Sequence, residues 1–238
     1  MKKFIRGEKI SQIYAQDGRR DIYDYRNAQL VNSRKKVDCV FIGDSITEFW
    51  ELPLYFGDLG YIVNRGIAGD VIYGVSSRFD TDVVQIKPRL CVIMIGVNDV
   101  DKIDTLANKM VVQKGNYEAL IPYIKTTFVN KMFSMYKKIL LKAKKKKIKM
   151  IVCSVTPHNH NLDAGIDYRN TYILGLNEKL KELAKELEFD YVDYNSIVRD
   201  ENGLFSLEYS WDRLHPNVDG YNLMAEILKP YLIKNLKR

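Results

Sequence analysis

Cysteine and histidine are scarce, with only three of each among 238 residues. Cys39, Cys91 and Cys153 are odd in number and each lies in or beside an apolar run, so buried free thiols in a reducing, cytoplasmic setting are expected rather than a disulfide framework. The histidines offer no third ligand at zinc spacing, so no metal is expected. Neither G-x-G-x-x-G nor a P-loop occurs, which sets aside a dinucleotide or nucleoside-triphosphate binder. No run approaches the ~20 consecutive apolar residues of a membrane span. The start, Met1 to Gln16, is charged but lacks an apolar stretch and a small-residue cleavage site, so it does not read as a signal peptide. No internal repeat and no Ser/Gly/Pro-rich linker divides the chain. One domain over residues 1–238 is therefore expected, with 1–36 as a helical extension packed on it.

What is present in excess is lysine, and it is local. The chain carries 37 Lys plus Arg against 30 Asp plus Glu, for a net charge of +7 and a pI near 9.1. Lys131 to Lys149 contain nine Lys and no acid, and outside that stretch acids slightly outnumber bases. A nucleic-acid partner is accordingly not expected. The lysines crowd at Lys144 to Lys147, near the end of a helical pattern whose apolar face is Phe128, Met132, Met135, Ile139 and Ala143. Cations there complement the negative end of the helix dipole.

With 46% hydrophobic and 28% charged residues the composition is that of an ordinary globular protein. Five short apolar runs read as strands buried on both faces: Val37–Ile42, Tyr61–Val63, Leu90–Ile95, Lys149–Val155 and Tyr191–Tyr194. Helical patterns lie between them. One has Ile173, Leu176, Leu180, Leu183 and Leu187 as its stripe, another runs over Val218–Leu232, and an early one covers Ile22–Val31. Alternating strands and helices imply an α/β fold with a mostly parallel sheet covered on both faces. The segment Val100–Ile124 is interrupted by Gly115 and Pro122. It fits either a pocket wall or a surface excursion.

The first strand runs into Gly43-Asp44-Ser45-Ile46-Thr47-Glu48. A serine at such a strand-to-helix turn fits a nucleophile beside free backbone N–H groups, although Ser45-x-x-Glu48 alone fits a capping box better. Thr47 excludes a G-x-S-x-G elbow. The second strand leads to Gly66-Ile67-Ala68-Gly69-Asp70, and the third ends in Gly96-Val97-Asn98-Asp99. There Asn98 offers an amide N–H₂ to a developing oxyanion, with a plain turn as the competing reading for each. Trp211-Asp212-Arg213-Leu214-His215-Pro216 places a carboxylate three residues before an imidazole, the spacing that lets Asp212 hold Nδ1 and leaves Nε2 for a serine proton. His158 and His160 read as exposed loop residues, with a place on a pocket rim as the competing reading.

These four blocks, in this order from Gly43 to His215, resemble those of the SGNH hydrolases, also called GDSL esterases and lipases, with Gly-Asp-Ser-Ile here in place of Gly-Asp-Ser-Leu. The resemblance, which includes platelet-activating-factor-acetylhydrolase-like enzymes, implies a flavodoxin-like three-layer α/β/α sandwich with strand order 2-1-3-4-5. It implies Ser45 as nucleophile, Asp212 and His215 as the rest of a triad, and an oxyanion hole from Ser45, Gly69 and Asn98, with Gly69 preferred to Gly66 because Asp70 follows it. Asp44, Trp211 and His158 are candidate pocket-wall residues. No cofactor is implied, and the partner is a small-molecule ester. Polar and aromatic residues near the blocks, Trp211, Tyr73 and Tyr209 among them, favour an acetyl ester on a carbohydrate-like alcohol. Lysophospholipase or thioesterase chemistry on lipid acyl groups is the alternative, and a non-catalytic binding module on the same fold is the alternative of another class.

Overall fold

The computed structural model describes residues 15–33, 35–107, 119–159 and 168–236. His160, Gly115 and the first part of the N-terminal extension lie outside the described residues. In chain order the elements are α1 (Ala15–Asn32), β1 (Cys39–Gly43), α2 (Ser45–Glu48), α3 (Leu52–Phe56), β2 (Ile62–Gly66), α4 (Ile72–Phe79), β3 (Leu90–Met94), α5 (Val100–Ala107), α6 (Leu120–Tyr123), α7 (Val129–Lys145), β4 (Lys149–Cys153), α8 (Tyr168–Glu186), β5 (Asp190–Val192) and α9 (Val218–Leu236).

The five strands form one parallel sheet in the order β2-β1-β3-β4-β5. β1 and β3 are buried along their whole length, as the apolar runs require of strands covered on both faces. Helices α4, α7 and α8 pack side by side on one face, while α3 meets α9 on the other. The chain leaves β1 in one direction to make β2 and then returns past it to make β3, so the order reverses between β1 and β3. In open parallel sheets the carboxyl ends at such a reversal are where a ligand crevice forms. Register sharpens its location, because Gly43 lies opposite both Gly66 of β2 and Met94 of β3. Three strands thus finish level, and the loops that follow them share one edge.

Several boundaries move. β2 continues through Asn64, Arg65 and Gly66, residues whose polarity reads as a turn. Arg65 is nonetheless buried, with Nε and Nη2 donating to Asn27 Oδ1 at 2.9 and 2.7 Å. α9 runs on to Leu236 with Pro230 inside it. α1 docks by a polar face, since Arg20, Asp24 and Asn27 are buried beside Tyr23. The described parts of the segment after β3 are helical and bury Val100, Ile103, Leu120 and Ile124, which makes those parts core rather than a surface excursion.

The three cysteines are free and buried on β1, β3 and β4. The lysine cluster lies where β4 begins, since Lys149 pairs with Leu90, the first residue of β3. Lys142 reaches Asp80 at 2.7 Å and Lys144 reaches Glu188 at 2.9 Å, so part of the cluster is neutralised locally. It occupies the sheet edge opposite the crevice.

Candidate active site

β1 ends at Gly43, where an added Cβ would lie 2.2 Å from the Met94 carbonyl oxygen and 2.3 Å from Thr47 Oγ1. Only glycine lets the chain turn so closely into α2. Asp44, not Ser45, caps that helix, its carboxylate accepting the Ile46 N–H at 3.1 Å. This corrects the capping-box reading: Ser45 is the first helical residue, and Glu48 accepts the Ala68 N–H at 2.6 Å instead of reaching back to the cap.

The Ser45 hydroxyl oxygen lies 2.9 Å from His215 Nε2, and His215 Nδ1 lies 2.6 Å from Asp212 Oδ2. The structure therefore brings together residues 170 positions apart. Asp212 Oδ1 also accepts the N–H groups of Leu214 and His215 at 3.0 and 2.7 Å. Burial pushes the Asp212 carboxyl up, but those N–H groups and the His215 ring outweigh burial and hold it below the usual carboxylate range. A carboxylate kept ionised beside Nδ1 favours the tautomer in which Nε2 is an acceptor. The loop that carries the pair is closed by a bridge between Ser210 and Pro216 and by the Ser210 hydroxyl donating to the His215 carbonyl at 2.8 Å. Arg213 sits at φ 74°, a conformation a non-glycine residue keeps only where its surroundings hold it. Here Asn159 N–H donates to the Arg213 carbonyl at 3.2 Å.

The loop after β2 distinguishes the two glycines by their amides. Gly66 N–H donates to Asn64 Oδ1, Ile67 N–H to the Gly43 carbonyl, Ala68 N–H to Glu48 and Asp70 N–H to the Ile67 carbonyl. Gly69 N–H has no such partner among the described residues, and Gly69 adopts φ 77°, where glycine is favoured. Asn98 directs one amide hydrogen to the Asp70 carbonyl at 3.0 Å, which leaves its second hydrogen for a ligand. Ser45 N–H, in the first turn of α2, has no intrahelical acceptor.

The remaining candidates fare differently. Asp44 is 1% exposed, so it lies beneath the crevice and does not line it. His158 is buried, not exposed, because Asn170 pairs with both its backbone N–H and its carbonyl at 2.8 Å. Trp211 is 70% exposed and stacks on the His215 ring at a centroid distance of 6.1 Å. Phe49, which the sequence reading passed over, meets the same ring from 5.3 Å and is also exposed. Its position immediately after Glu48 was the available signal. Tyr209 packs against the core.

Burial pushes the carboxyls of Asp44 and Asp99 up to about 7. Asp99 Oδ2 accepts the Ile72 N–H at 3.1 Å, while Oδ1 has no hydrogen-bond partner among the described residues. The folded chain keeps this proton between the ordinary value of 3.8 and about 7, whereas the unfolded chain releases it. The stability from Asp99 is thus full at low pH and lost as pH rises through about 7. Asp99→Asn keeps the acceptor without the charge, so its melting temperature relative to the native protein should rise between about pH 5 and about pH 8. A constant difference across that range would show that Asp99 is ionised throughout.

Among the described residues no group of three or more His, Cys, Asp or Glu could hold a metal ion, and no helix is long and apolar enough to cross a membrane.

The chain as a whole has known counterparts. The model of the GDSL-like Lipase/Acylhydrolase family matches residues 41–223. An acetylxylan esterase of Geobacillus stearothermophilus is 25% identical over 179 residues, which cover 73% of each chain. A GDSL-like lipase of Bacteroides thetaiotaomicron superposes with a TM-score of 0.72 at 28% identity, covering 91% of this chain and 98% of that one. The solved structure of Axe2, an acetylxylan esterase from Geobacillus stearothermophilus, shares the fold with a TM-score of 0.58 at 21% identity, over 87% of this chain and 96% of that one. With the family pattern spanning the sheet and all the loops of the crevice, the chain belongs to the GDSL-like lipase/acylhydrolase family and is a serine ester hydrolase.

Proposed function

We propose that the chain removes short acyl groups, acetyl above all, from a carbohydrate-like alcohol, with Ser45 as nucleophile. The observation that carries this reading is the hydrogen-bonded line from Asp212 through His215 to Ser45 Oγ. Ser45 Oγ attacks the ester carbonyl carbon as its proton passes to His215 Nε2, and Asp212 stabilises the imidazolium. The oxyanion is held by the N–H groups of Ser45 and Gly69 and by the Asn98 amide. Collapse returns the proton from His215 to the departing alcohol. Water then attacks the acyl-enzyme, giving its proton to His215, and Ser45 regains it as acetate leaves.

Asn98→Ala should lower kcat by about 10²–10³-fold with little change in KM, because its contact strengthens as charge develops on oxygen. Steady-state kinetics on p-nitrophenyl acetate check this, and an unchanged kcat would remove Asn98 from the oxyanion hole.

Two observations support the substrate class. The Geobacillus relative that matches most of the chain is an acetylxylan esterase. The exposed rings of Trp211 and Phe49 flank His215, where a sugar face would lie as the leaving alcohol. The test is a series of p-nitrophenyl esters of increasing acyl length together with acetylated xylo-oligosaccharides. kcat/KM should be highest for acetyl among the former, and the oligosaccharides should release acetate. A rise in kcat/KM with chain length would favour a lipid acyl substrate instead. We read residues 1–238 as one catalytic domain, and the buried free thiols as suited to a reducing compartment.

A further inference from the structure

We infer that the N-terminal helix α1 braces the loop Gly66–Asp70, and that Tyr23, Glu48 and Arg78 are positioning residues for the oxyanion; this rests on the roles assigned above to Ser45, Gly69 and Asn98. Three separate lines of contact join the α1 side chains to that loop. The Tyr23 hydroxyl donates to the Gly66 carbonyl at 2.5 Å. Arg19 lies 2.8 Å from Glu48 Oε1, and Glu48 Oε2 holds the Ala68 N–H. Arg20 pairs with Asp82 at 2.7 Å, Asp82 with Arg78 at 3.0 Å, and Arg78 with Asp70 at 2.7 Å.

The Arg78 guanidinium is the junction. Beyond the two carboxylates it donates to the Arg65 carbonyl at 2.8 Å and the Gly43 carbonyl at 2.9 Å. One planar fork therefore ties the carboxyl ends of β1 and β2 to Asp70. Asp70 in turn follows Gly69 directly, and its own carbonyl accepts from Asn98. Fixing Asp70 fixes both of the donors that lie outside the serine turn.

Stability does not account for such a network. Arg78, Asp70 and Asp82 have side chains at most 1% exposed, and burying charges costs about as much as pairing them returns, so apolar replacements are often equally stable. What an apolar core lacks is directed bonds to particular carbonyls. Catalysis is sensitive to direction, since a displacement of about 1 Å can cost about 10²-fold in rate.

The experiment uses the full chain and three mild changes. Tyr23→Phe removes only the hydroxyl, Glu48→Ala frees the Ala68 N–H, and Glu48→Gln keeps an acceptor there. For each, kcat and KM on p-nitrophenyl acetate, the affinity for benzeneboronic acid and the melting temperature are measured. Boronate binding forms a Ser45 Oγ–boron bond, the hydroxyl proton passing to His215, and places an oxygen on boron at the oxyanion position. Tyr23→Phe and Glu48→Ala should each lower kcat by about tenfold with KM within about twofold, and weaken the boronate in proportion. Glu48→Gln should regain most of the loss. Unchanged kcat and boronate affinity in Tyr23→Phe and Glu48→Ala, whatever their melting temperatures, would overturn the brace. If Ser45→Ala bound the boronate as tightly as the native chain, the underlying role of Ser45 would fall, an outcome distinct from failure of the brace alone.

Discussion

Ser45→Ala should reduce kcat on a short-chain p-nitrophenyl ester by about 10⁴–10⁶-fold while leaving the melting temperature close to that of the native chain. Both halves of that expectation come from the same geometry. The hydroxyl makes its hydrogen bond to His215 rather than to the helix it starts, and the capping bond belongs to Asp44. Removing the oxygen would therefore take away the proposed nucleophile but no support of α2. Residual turnover would come from the donors around the oxyanion, which remain. A variant that lost stability in step with activity would mean that Ser45 serves as a cap after all.

Asp212→Asn should cost about 10⁴-fold in kcat at neutral pH, even though the side chain keeps its size. An amide that still accepts from the Leu214 and His215 N–H groups with its oxygen turns its NH₂ toward Nδ1. That NH₂ donates where the carboxylate accepted, so the imidazole proton moves to Nε2 and cannot be replaced by the proton of Ser45. The Asp212 carboxylate is stabilised by the N–H groups of the following residues, so in the native enzyme it should stay ionised at pH values at which an unassisted carboxylate begins to protonate. Rate measurements on purified Asp212→Asn check the first expectation, and a loss below about tenfold would show that the carboxylate only spaces the loop.

β1, β3, β4 and the first half of β2 were legible because they are buried on both faces and so consist of Val, Ile, Leu, Phe, Cys and Met with little else. The exception, the second half of β2, shows the limit of that signal. Asn64 and Arg65 look like turn residues, and their place in the strand depends on partners distant in sequence, the Thr47 carbonyl for Asn64 and Asn27, 38 positions away, for Arg65, which no local pattern reveals. The same holds at Ser45. Its sequence neighbourhood fits a cap, and only the approach of His215 from the far end of the chain gives the hydroxyl another partner. His158 reads as exposed because loop histidines usually are, yet a paired Asn170 buries it. The bracing network on α1 was hidden for a related reason. A helix that docks through Arg20, Asp24 and Asn27 has no apolar stripe to announce which face is buried. By contrast the Asp212 to His215 spacing carries its own geometry, because three residues of one turn suffice to put a carboxylate on an imidazole.

The claim on which all of this rests is that Ser45 is an activated nucleophile. Treating the folded native chain with a fluorophosphonate and mapping the modified peptide tests it directly, since the reagent captures a serine whose proton has an acceptor. A single adduct on Ser45 is expected, absent in Ser45→Ala and formed far more slowly in Asp212→Asn. Folded protein that takes up no label, or takes it up on another residue, would contradict the mechanism, and the unlabelled outcome would favour a binding module built on the same fold.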